Sequence, residues 1–546
     1  MSGDLLQGFV PHPEDQRQRY IEHGVWDNKP LWTLITDAHP DRPAVADGEH
    51  SLTYAELLAQ ADALAAGLLA AGLRTGQRVV LQLPNTTTFA VVLMGVLRAG
   101  LVPVMALPAH RLAEIEYFIR LTEAVAYITN DDQQTLVRQL QSASLPLQHI
   151  FVTNAPDGRD SLPMGDSDEF VPPPVNPCHP ALFLVSGGTT GLPKLIPRTH
   201  NDYRYNAIRS AQICGLTADD IYLATLPAAH NFPLACPGML GIFAVSGYVV
   251  MNRDPSPEHG FKLIERYAVT ATALVPALAQ LWSAATEWET ADLGSLRLLQ
   301  VGGAKFPENE ARAALRAFPG ALQQVFGMAE GLICYTRPGD NPDTVATTQG
   351  RPMSPLDELR IVDAEGKDVG PGEEGELLVR GPYTLRGYYR AAEHNADAFS
   401  PEGFYRTGDR VQLTPAGDLI VTGRIKDVVN RGGECIAAAE IEQHLLAHPR
   451  IRQAAIVPVP DKLLGERIGA AIVSAGLPPT LAELREFLAA RGLAAFKLPE
   501  RLEVLATMPV TAVGKIDKKQ IIRALPTKRL CQALSTADTI IRLISI

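Results

Sequence analysis

Apolar and polar positions alternate along the chain in blocks that predict helices and buried strands in turn. The block from Ser51 to Leu73 is rich in Ala and Leu at helical spacing, and Ser51 or Thr53 is placed to cap it. The shorter runs that follow predict a strand at 76–83, a buried helix at 87–99 and a strand at 102–105. The alternation continues through 124–153. The first part of the chain is therefore predicted to contain a parallel α/β sheet.

Several short apolar runs in the middle of the chain end in small or polar residues. These runs predict strands at 181–185, 221–226, 272–275, 296–301 and 323–326. In open α/β sheets, ligands bind beyond the carboxyl ends of the strands. We therefore expect the residues that follow these runs to line one crevice.

From Glu358 onward the pattern changes to short strands separated by glycine turns, which predicts a small β-rich subdomain at about 356–425. After Arg424 the chain returns to mixed helices and strands, which predicts a separate small α+β domain. We predict an α/β protein with a large N-terminal domain, a small C-terminal domain and a tail of unknown structure, over 1–425, 426–528 and 529–546.

Composition narrows the function classes. The chain has 546 residues, which predicts at least two domains, and its formal net charge of −11 argues against nucleic acid as the main partner. The six cysteines are widely spaced, without a C-x-x-C pair, so we expect reduced thiols rather than disulfides or a zinc site. The N-terminal residues do not resemble a signal peptide, and the longest apolar stretch, 238–251, is too short to span a bilayer. We expect a cytoplasmic protein without a membrane partner.

The most distinctive segment is a glycine-rich loop, SGGTTGLPKL, from Ser186 to Leu195. Its glycines allow close backbone approach to a ligand, and successive backbone N–H groups in such a turn suit phosphate. The loop does not match the Walker pattern, because Lys194 is not preceded directly by glycine or followed by Ser or Thr. For the loop taken alone, an ordinary glycine-rich surface turn is the alternative to a phosphate-binding loop.

Six segments in order carry a family resemblance: SGGTTGLPKL, PAAHNF, VFGMAEG, YRTGD, GRIKD and PVTAVGK. Together they resemble the adenylate-forming superfamily over about residues 15–525. LIPRTHNDY, LQVGGA, NRGGE and KLPER look more closely like the stand-alone aryl acid–AMP ligases of siderophore biosynthesis. This resemblance implies that an aryl acid reacts with ATP to give an acyl adenylate and pyrophosphate. The acyl group would then pass to the phosphopantetheine thiol of an aryl or peptidyl carrier protein.

The resemblance also implies an ATP site. The positions that match the family's ATP and AMP contacts are Ser186, Gly187, Gly188, Thr189, Thr190, Gly191, Lys194, Gly302, Gly303, Val325, Gly327, Met328, Glu330, Asp409, Arg424 and Lys515. Within this set, Glu330 matches the acid that holds Mg²⁺, while Asp409 and Arg424 match the ribose contacts. Without the motif, each of these three would be an ordinary surface charge.

Three further positions match catalytic or hinge residues of the family. Lys515 matches the lysine that reaches the substrate carboxylate and the α-phosphate, and His230 matches a histidine of the acid site. Lys426 lies where the family has the hinge about which a mobile C-terminal domain rotates. The alternatives are a solvated lysine cluster near Lys515 and an ordinary linker lysine at 426.

The acid-binding positions of the subfamily match His230, Asn231, Phe232, Cys236, Gly303 and Ile333. Family members that act on amino acids carry an aspartate near this motif, whereas no acidic residue lies between Leu226 and Met251, so the resemblance argues against an α-amino acid substrate. At the positions of Phe232, Cys236 and Ile333, relatives that act on salicylate typically have Phe, Cys and a larger aliphatic residue. Relatives that act on 2,3-dihydroxybenzoate have Tyr, Ser and Val at the same positions. A thiol is a weak hydrogen-bond partner for a 3-hydroxyl. We therefore expect salicylate, with leaky use of 2,3-dihydroxybenzoate.

Three alternatives stay open. The first is a 2,3-dihydroxybenzoate–AMP ligase, and the second is an aryl-CoA ligase that shares the adenylation step. The third is a non-enzymatic nucleotide-sensing module, which the presence of Glu330, Asp409, Arg424 and Lys515 disfavours.

Overall fold

The computed structural model describes residues 6–153, 161–186, 193–370, 372–425, 427–431, 434–461, 465–491, 493, 495–511 and 514–524. Contacts divide the chain into two compact units. The first comprises Met1–Lys426 together with Val510–Lys515, and the second comprises Asp427–Pro509 with Ile516–Ile546. The division after Lys426 lies at the expected hinge position, whereas the segment that carries Lys515 groups with the larger unit. Lys426 itself is outside the described residues.

The first unit contains three sheets and fourteen α-helices in its described part. Its strands are, in chain order, β1 (Pro43–Ala46), β2 (Ser51–Thr53), β3 (Arg78–Gln82), β4 (Val102–Met105), β5 (Ala126–Asn130), β6 (His149–Thr153), β7 (Pro180–Val185), β8 (Leu195–Thr199), β9 (Ile221–Ala224), β10 (Tyr248–Met251), β11 (Ala271–Leu274), β12 (Leu298–Gly302), β13 (Leu322–Gly327), β14 (Ile333–Tyr335), β15 (Arg351–Pro352), β16 (Glu358–Val362), β17 (Gly375–Arg380), β18 (Tyr405–Leu413) and β19 (Leu419–Arg424).

The helices of the first unit lie between and around these strands in the chain order. They are α1 (Glu14–Glu22), α2 (Thr33–Thr36), α3 (Tyr54–Ala70), α4 (Thr87–Arg98), α5 (Leu112–Thr122), α6 (Gln134–Gln141), α7 (His200–Ile213), α8 (Asn231–Ala235), α9 (Gly238–Phe243), α10 (Pro257–Tyr267), α11 (Pro276–Ala285), α12 (Glu308–Ala317), α13 (Pro342–Thr347) and α14 (Ala392–Ala398). No helix in the described ranges is long and apolar enough to cross a membrane.

Two sheets of the first unit are largely parallel. One has the order β6-β5-β3-β4-β7-β8, in which only the β7–β8 pair is antiparallel. The other has the order β15-β14-β13-β12-β11-β9-β10-β1-β2 and is parallel from β13 to β1. Parallel strands covered on both faces read as continuous apolar runs, as Val79–Leu81 does here. The predicted α/β class is confirmed.

The β-rich part of the first unit is a four-stranded antiparallel sheet, β16-β17-β18-β19. Its strands alternate buried and less buried positions, as the sequence pattern predicts for a sheet with one covered face. The pairing of β18 with β19 sets Asp409 opposite Arg424.

The second unit is a small α+β structure. Its strands are β20 (Val428–Arg431), β21 (Glu434–Ala437), β22 (Ile451–Asp461), β23 (Gly465–Ser474) and β24 (Arg501–Val504), and its helices are α15 (Ala438–Leu446), α16 (Leu481–Ala490) and α17 (Lys518–Ala524). Strand β23 pairs antiparallel with β22 and parallel with β24. A separate apolar cluster that includes Ile441, Ile456 and Leu484 forms its core.

The start of α3 differs from the sequence prediction. Residues Ser51–Thr53 form β2 instead of the first helical turn, because they pair antiparallel with β1. The helix begins at Tyr54, and the Thr53 side chain accepts a hydrogen bond from the Glu56 N–H while the Glu56 side chain accepts from the Thr53 N–H. Of the two candidate caps, the structure therefore uses Thr53.

Helix α3 carries a buried glycine at a close chain crossing. A Cβ on Gly67 would overlap the Pro163 carbonyl, and the nearby Gly165 N–H donates to the Ala63 carbonyl at 2.7 Å. Helix propensity alone predicts that Gly67→Ala stabilises α3 by about 1 kcal/mol. The crossing reverses this expectation, because relieving an overpacked contact costs about 1–3 kcal/mol.

We predict that Gly67→Ala lowers the thermal unfolding midpoint. The matched control is Ala59→Gly at an exposed position of the same helix, which loses only the propensity of about 1 kcal/mol. Differential scanning fluorimetry of the three proteins measures both effects. A midpoint above that of the parent protein for Gly67→Ala would contradict the close crossing.

Candidate active site

A small cavity lies where strand ends of the two parallel sheets meet. Its lining comes from residues at or just after the ends of β4, β7, β9 and β13: Met105, Leu107, Leu184, Val185, Ala229, His230, Asn231 and Ala329. Four separate stretches of the chain thus reach one place in the first unit. This agrees with the crevice expected beyond the carboxyl ends of the strands.

The glycine-rich loop is the connection of a β-hairpin. Its neck is closed by two hydrogen bonds, from the Ser186 N–H to the Lys194 carbonyl at 2.9 Å and from the Lys194 N–H to Ser186 Oγ at 2.9 Å. Beyond the neck, Val185 pairs with Leu195. The loop therefore joins two antiparallel strands, whereas a Walker loop joins a strand to a helix. Gly187, Gly188, Thr189, Thr190 and Gly191 lie outside the described residues.

Glu330 is held by a buried tyrosine. The Tyr388 hydroxyl donates to Glu330 Oε1 at 2.7 Å and lies 2.8 Å from the Tyr405 hydroxyl. Burial, and next the charge of Glu330, raise the pKa of Tyr388, so the phenol stays protonated and able to donate. Lys194 Nζ lies 5.8 Å from the centre of the Tyr388 ring. Tyr388 thus links the loop lysine to the carboxylate expected to hold a metal.

Asp409 and Arg424 form an ion pair across β18 and β19. Arg424 Nε donates to Asp409 Oδ1 at 2.7 Å. Asp409 is only 4% exposed, whereas the Arg424 side chain is 53% exposed, so the pair offers its basic side to the surroundings. The charge of Asp409 raises the pKa of Arg424. A carboxylate has more acceptor capacity than one guanidinium bond uses, which leaves room for further donors.

Lys515 lies in the charged part of the same unit. Its short segment is closed by hydrogen bonds from the Thr511 N–H to the Lys515 carbonyl at 2.7 Å and from the Lys515 N–H to Thr511 Oγ1 at 3.3 Å. Burial, and next the charge of Arg424, lower the pKa of Lys515, while Asp409 and Glu330 act in the opposite direction. The structure therefore brings Lys515 together with four of the other predicted site residues, Arg424, Asp409, Glu330 and His230.

His230 is a neutral side chain at the start of α8. Its Nδ1 accepts a hydrogen bond from the Phe232 N–H at 3.3 Å, so the ring proton resides on Nε2. Burial, and next the charge of Lys515, lower the pKa of His230 to about 4. At neutral pH the ring can therefore donate a hydrogen bond from Nε2 without carrying a charge.

Helix α8 and the residue after it carry most of the predicted acid contacts. Asn231 Nδ2 donates to Cys236 Sγ at 3.4 Å, and the Tyr203 hydroxyl donates to Asn231 Oδ1 at 2.9 Å. Burial raises the pKa of Cys236 to about 12, so this side chain is a neutral thiol. The polar groups here are uncharged and face one another.

The remaining predicted residues form tight contacts around this helix. A Cβ on Gly302 would lie 2.7 Å from the Val325 carbonyl oxygen and 3.1 Å from Phe232 Cζ, so only glycine lets the Phe232 ring lie against β12. Gly303 has a φ of +86°, which favours glycine. Gly327 ends β13 and pairs with Ile333 at the start of β14, and Met328 lies in the turn between them.

Sequence reasoning missed two buried residues that support this site. Arg198 Nε donates to Asp202 Oδ1 at 2.8 Å and its Nη1 donates to the Ala329 carbonyl at 3.1 Å, next to Glu330. The partners of the Tyr388 hydroxyl, Glu330 and Tyr405, are distant in sequence, so no local pattern singles Tyr388 out. The signal for Arg198 was a basic residue inside an apolar strand, four positions before an acid at the start of a helix.

The chain matches two family models in the order in which its units occur. Residues 35–389 match the AMP-binding enzyme model, and residues 440–515 match the model of the AMP-binding enzyme C-terminal domain. The chain belongs to the AMP-binding enzyme family. These matches, together with the aryl acid–AMP ligases among the relatives described next, confirm the resemblance to adenylate-forming ligases of the aryl acid type and the enzyme class.

Named relatives of this AMP-binding enzyme cover nearly its whole length. A salicyl-AMP ligase / salicyl-S-ArCP synthetase of Mycobacterium tuberculosis is 52% identical, over 95% of each chain. A 2,3-dihydroxybenzoate-AMP ligase of Bacillus subtilis is 47% identical, over 96% of this chain and 99% of the relative. The apo structure of MbtA from Mycobacterium smegmatis superposes with a TM-score of 0.74 at 51% identity, over 95% of this chain and 99% of that one.

We predict that His230 makes the AMP-binding enzyme sensitive to acid. The unfolded chain protonates this residue near its ordinary pKa of 6.5, whereas the folded protein does so at about 4. Between these values the unfolded state binds more protons, so stability falls as the pH falls from 6.5 to 4. Thermal midpoints across this range measure the slope. His230→Asn, which keeps a capping side chain, should show a shallower slope, and equal slopes in the two proteins would contradict this assignment.

Proposed function

We propose that the protein is a salicylate–AMP ligase that activates salicylate with ATP and passes the acyl group to an aryl carrier protein. The observation that carries the proposal is the uncharged acid pocket on α8. It combines the amide of Asn231 with the neutral thiol of Cys236 and the ring of Phe232. The mycobacterial relative, named as a salicyl-AMP ligase, supports the same substrate.

In the first step the salicylate carboxylate attacks the α-phosphorus of ATP. An oxygen–phosphorus bond forms, the bond to the β-phosphate oxygen breaks, and pyrophosphate leaves with the electron pair. Both reactants are anions, so positive groups must offset charge as it develops. We assign Lys515 to the carboxylate and α-phosphate. We assign Lys194, with the loop from Ser186 to Gly191, to the phosphates that leave. Asp409 and Arg424 would hold the ribose.

The residues present also fit Mg²⁺. Among the described residues, no three His, Cys, Asp or Glu side chains are grouped to hold a metal by themselves. Mg²⁺ commonly binds through one or two carboxylates and substrate phosphates, and it keeps several waters. Glu330, positioned by Tyr388, supplies such a carboxylate. The metal would neutralise charge on the phosphate oxygens, as Lys194 is also proposed to do.

In the second step the thiol of a phosphopantetheine arm attacks the acyl carbon, and AMP leaves. Between the two steps the C-terminal domain would rotate, and we assign the hinge of this rotation to Lys426. The salicyl-S-ArCP synthetase activity named for the mycobacterial relative supports a carrier protein as the acceptor. An aryl-CoA ligase would instead use CoA. Comparing holo-carrier protein with CoA as acceptors of preformed salicyl-adenylate separates the two functions.

The main alternative acid is 2,3-dihydroxybenzoate, the substrate named for the Bacillus subtilis relative. The side chains around the expected 3-position favour salicylate, because Cys236 is a neutral thiol in a buried wall. A buried hydroxyl that lacks a partner costs about 1–3 kcal/mol, or roughly 5- to 150-fold in affinity. An apolar pocket rejects an added hydroxyl by about 100-fold at most. Discrimination between salicylate and 2,3-dihydroxybenzoate should therefore be incomplete.

Pyrophosphate exchange with salicylate, 2,3-dihydroxybenzoate and benzoate tests this proposal. We predict the largest kcat/KM for salicylate, and Cys236→Ser should improve the use of 2,3-dihydroxybenzoate relative to salicylate by roughly tenfold. Cys214→Ser is the matched control, because Cys214 is a buried thiol whose Sγ donates to Gln323 Oε1 at 3.3 Å. Faster exchange of 2,3-dihydroxybenzoate by the parent protein would overturn the choice of acid.

The role of Lys515 predicts that the two half-reactions can be separated. Lys515→Ala should reduce the rate of adenylation by roughly 100-fold or more, because it removes a cation from the developing charge. Transfer of the acyl group from supplied salicyl-adenylate to the carrier protein should stay within about threefold of the parent rate. Lys519→Ala, at an exposed position nearby, is the control and should leave both steps unchanged. Equal loss of both steps in Lys515→Ala would rule out this role.

A further inference from the structure

Helix α7 holds both ends of α8. The Tyr203 hydroxyl donates to Oδ1 of Asn231, the first residue of α8, at 2.9 Å. Asn206 lies one turn further along α7, and its Nδ2 donates to the carbonyl of Ala235, the last residue of α8, at 2.5 Å. Both α7 side chains are fully buried. Since residues three apart share a helix face, one edge of α7 fixes the short helix that carries the acid-binding side chains.

The bond from Tyr203 determines which atoms Asn231 offers to a ligand. A carboxamide has one acceptor oxygen and two N–H donors. Tyr203 uses the oxygen, and one N–H donates to Cys236 Sγ at 3.4 Å. In the described part of the chain, no residue accepts from the second N–H. The amide therefore presents one remaining donor, which suits the ortho oxygen of salicylate. The opposite orientation would present a carbonyl oxygen to an anion.

Tyr203 is suited to this task because it cannot lose its proton at working pH. Burial raises the pKa of Tyr203 well above its ordinary value, although the charge of Arg198 opposes this shift. The Arg198 guanidinium lies 4.5 Å from the centre of the Tyr203 ring. This contact and the packing on α7 fix the ring, so the hydroxyl stays directed at Asn231 Oδ1.

We propose that Tyr203 is a positioning residue that sets the amide orientation of Asn231 and thereby the preference for acids with an ortho hydroxyl. The inference rests on the proposed function, because it takes an aryl acid as the ligand of Asn231. It adds a residue outside the pocket to the determinants of substrate choice.

The test compares salicylate with benzoate in Tyr203→Phe. Losing the hydroxyl lets the Asn231 amide turn over, so kcat/KM for salicylate should fall roughly tenfold, mainly through KM. Benzoate, which lacks the ortho oxygen, should change less than about threefold. The matched control is Tyr222→Phe, because Tyr222 is also buried, on the strand before α8, and its hydroxyl has no partner among the described residues. An equal fall for both acids in Tyr203→Phe would overturn the proposal.

A double-mutant cycle separates positioning from general packing. If Tyr203 acts through Asn231, Tyr203→Phe should change kcat/KM for salicylate less than about twofold in an Asn231→Ala background. A full tenfold loss in that background would also overturn the proposal. Failure of the proposed function has a different signature, namely slow turnover of salicylate by the parent protein. In that case 2,3-dihydroxybenzoate and 3-hydroxybenzoate replace the two acids, and the same comparison still decides the role of Tyr203.

Discussion

The proposed reaction requires two anions to come into contact, and the charged half of the site is arranged around that requirement. Two unit charges 4 Å apart interact by about 4 kcal/mol at an effective dielectric constant of 20. The first unit brings Lys194, Arg424 and Lys515 together with Glu330 and Asp409, so basic and acidic side chains partly balance one another. Burial and the charge of Arg424 lower the pKa of Lys515, and the two carboxylates act against that shift. The charged form of such a lysine is stabilised when an anion binds beside it.

The acid-binding half of the site, in contrast, relies on neutral polar groups. Its polar groups, His230, Asn231 and Cys236, are all uncharged at neutral pH as the structure places them. A buried polar group costs free energy unless it is hydrogen-bonded, and these groups bond one another or the backbone. The pocket can therefore be narrow and largely apolar while it still offers directed donors. Selectivity between aryl acids then depends on single side-chain groups, such as the Cys236 thiol in place of a hydroxyl.

The sequence predicted those features that are encoded locally. Apolar runs such as 79–81 indicated buried parallel strands, and the motif around Glu330 indicated a site residue at the end of β13. It could not predict Tyr388, because its partners Glu330 and Tyr405 lie 58 and 17 positions away and only the fold brings them together. The same holds for Tyr203 and Asn231, which lie 28 positions apart. The strand at 51–53 was missed because pairing with β1 outweighs a local helical pattern.

A crystal structure with a hydrolytically stable salicyl-adenylate analogue tests the account most directly. We predict that the aryl ring lies between Phe232 and Ile333, with its ortho oxygen accepting from the Asn231 amide N–H. The ribose hydroxyls should donate to Asp409, and Lys515 Nζ should lie within hydrogen-bond distance of the acyl or phosphate oxygens. An analogue bound with its ring outside the α8 pocket, or with Asn231 Oδ1 facing the ligand, would contradict it.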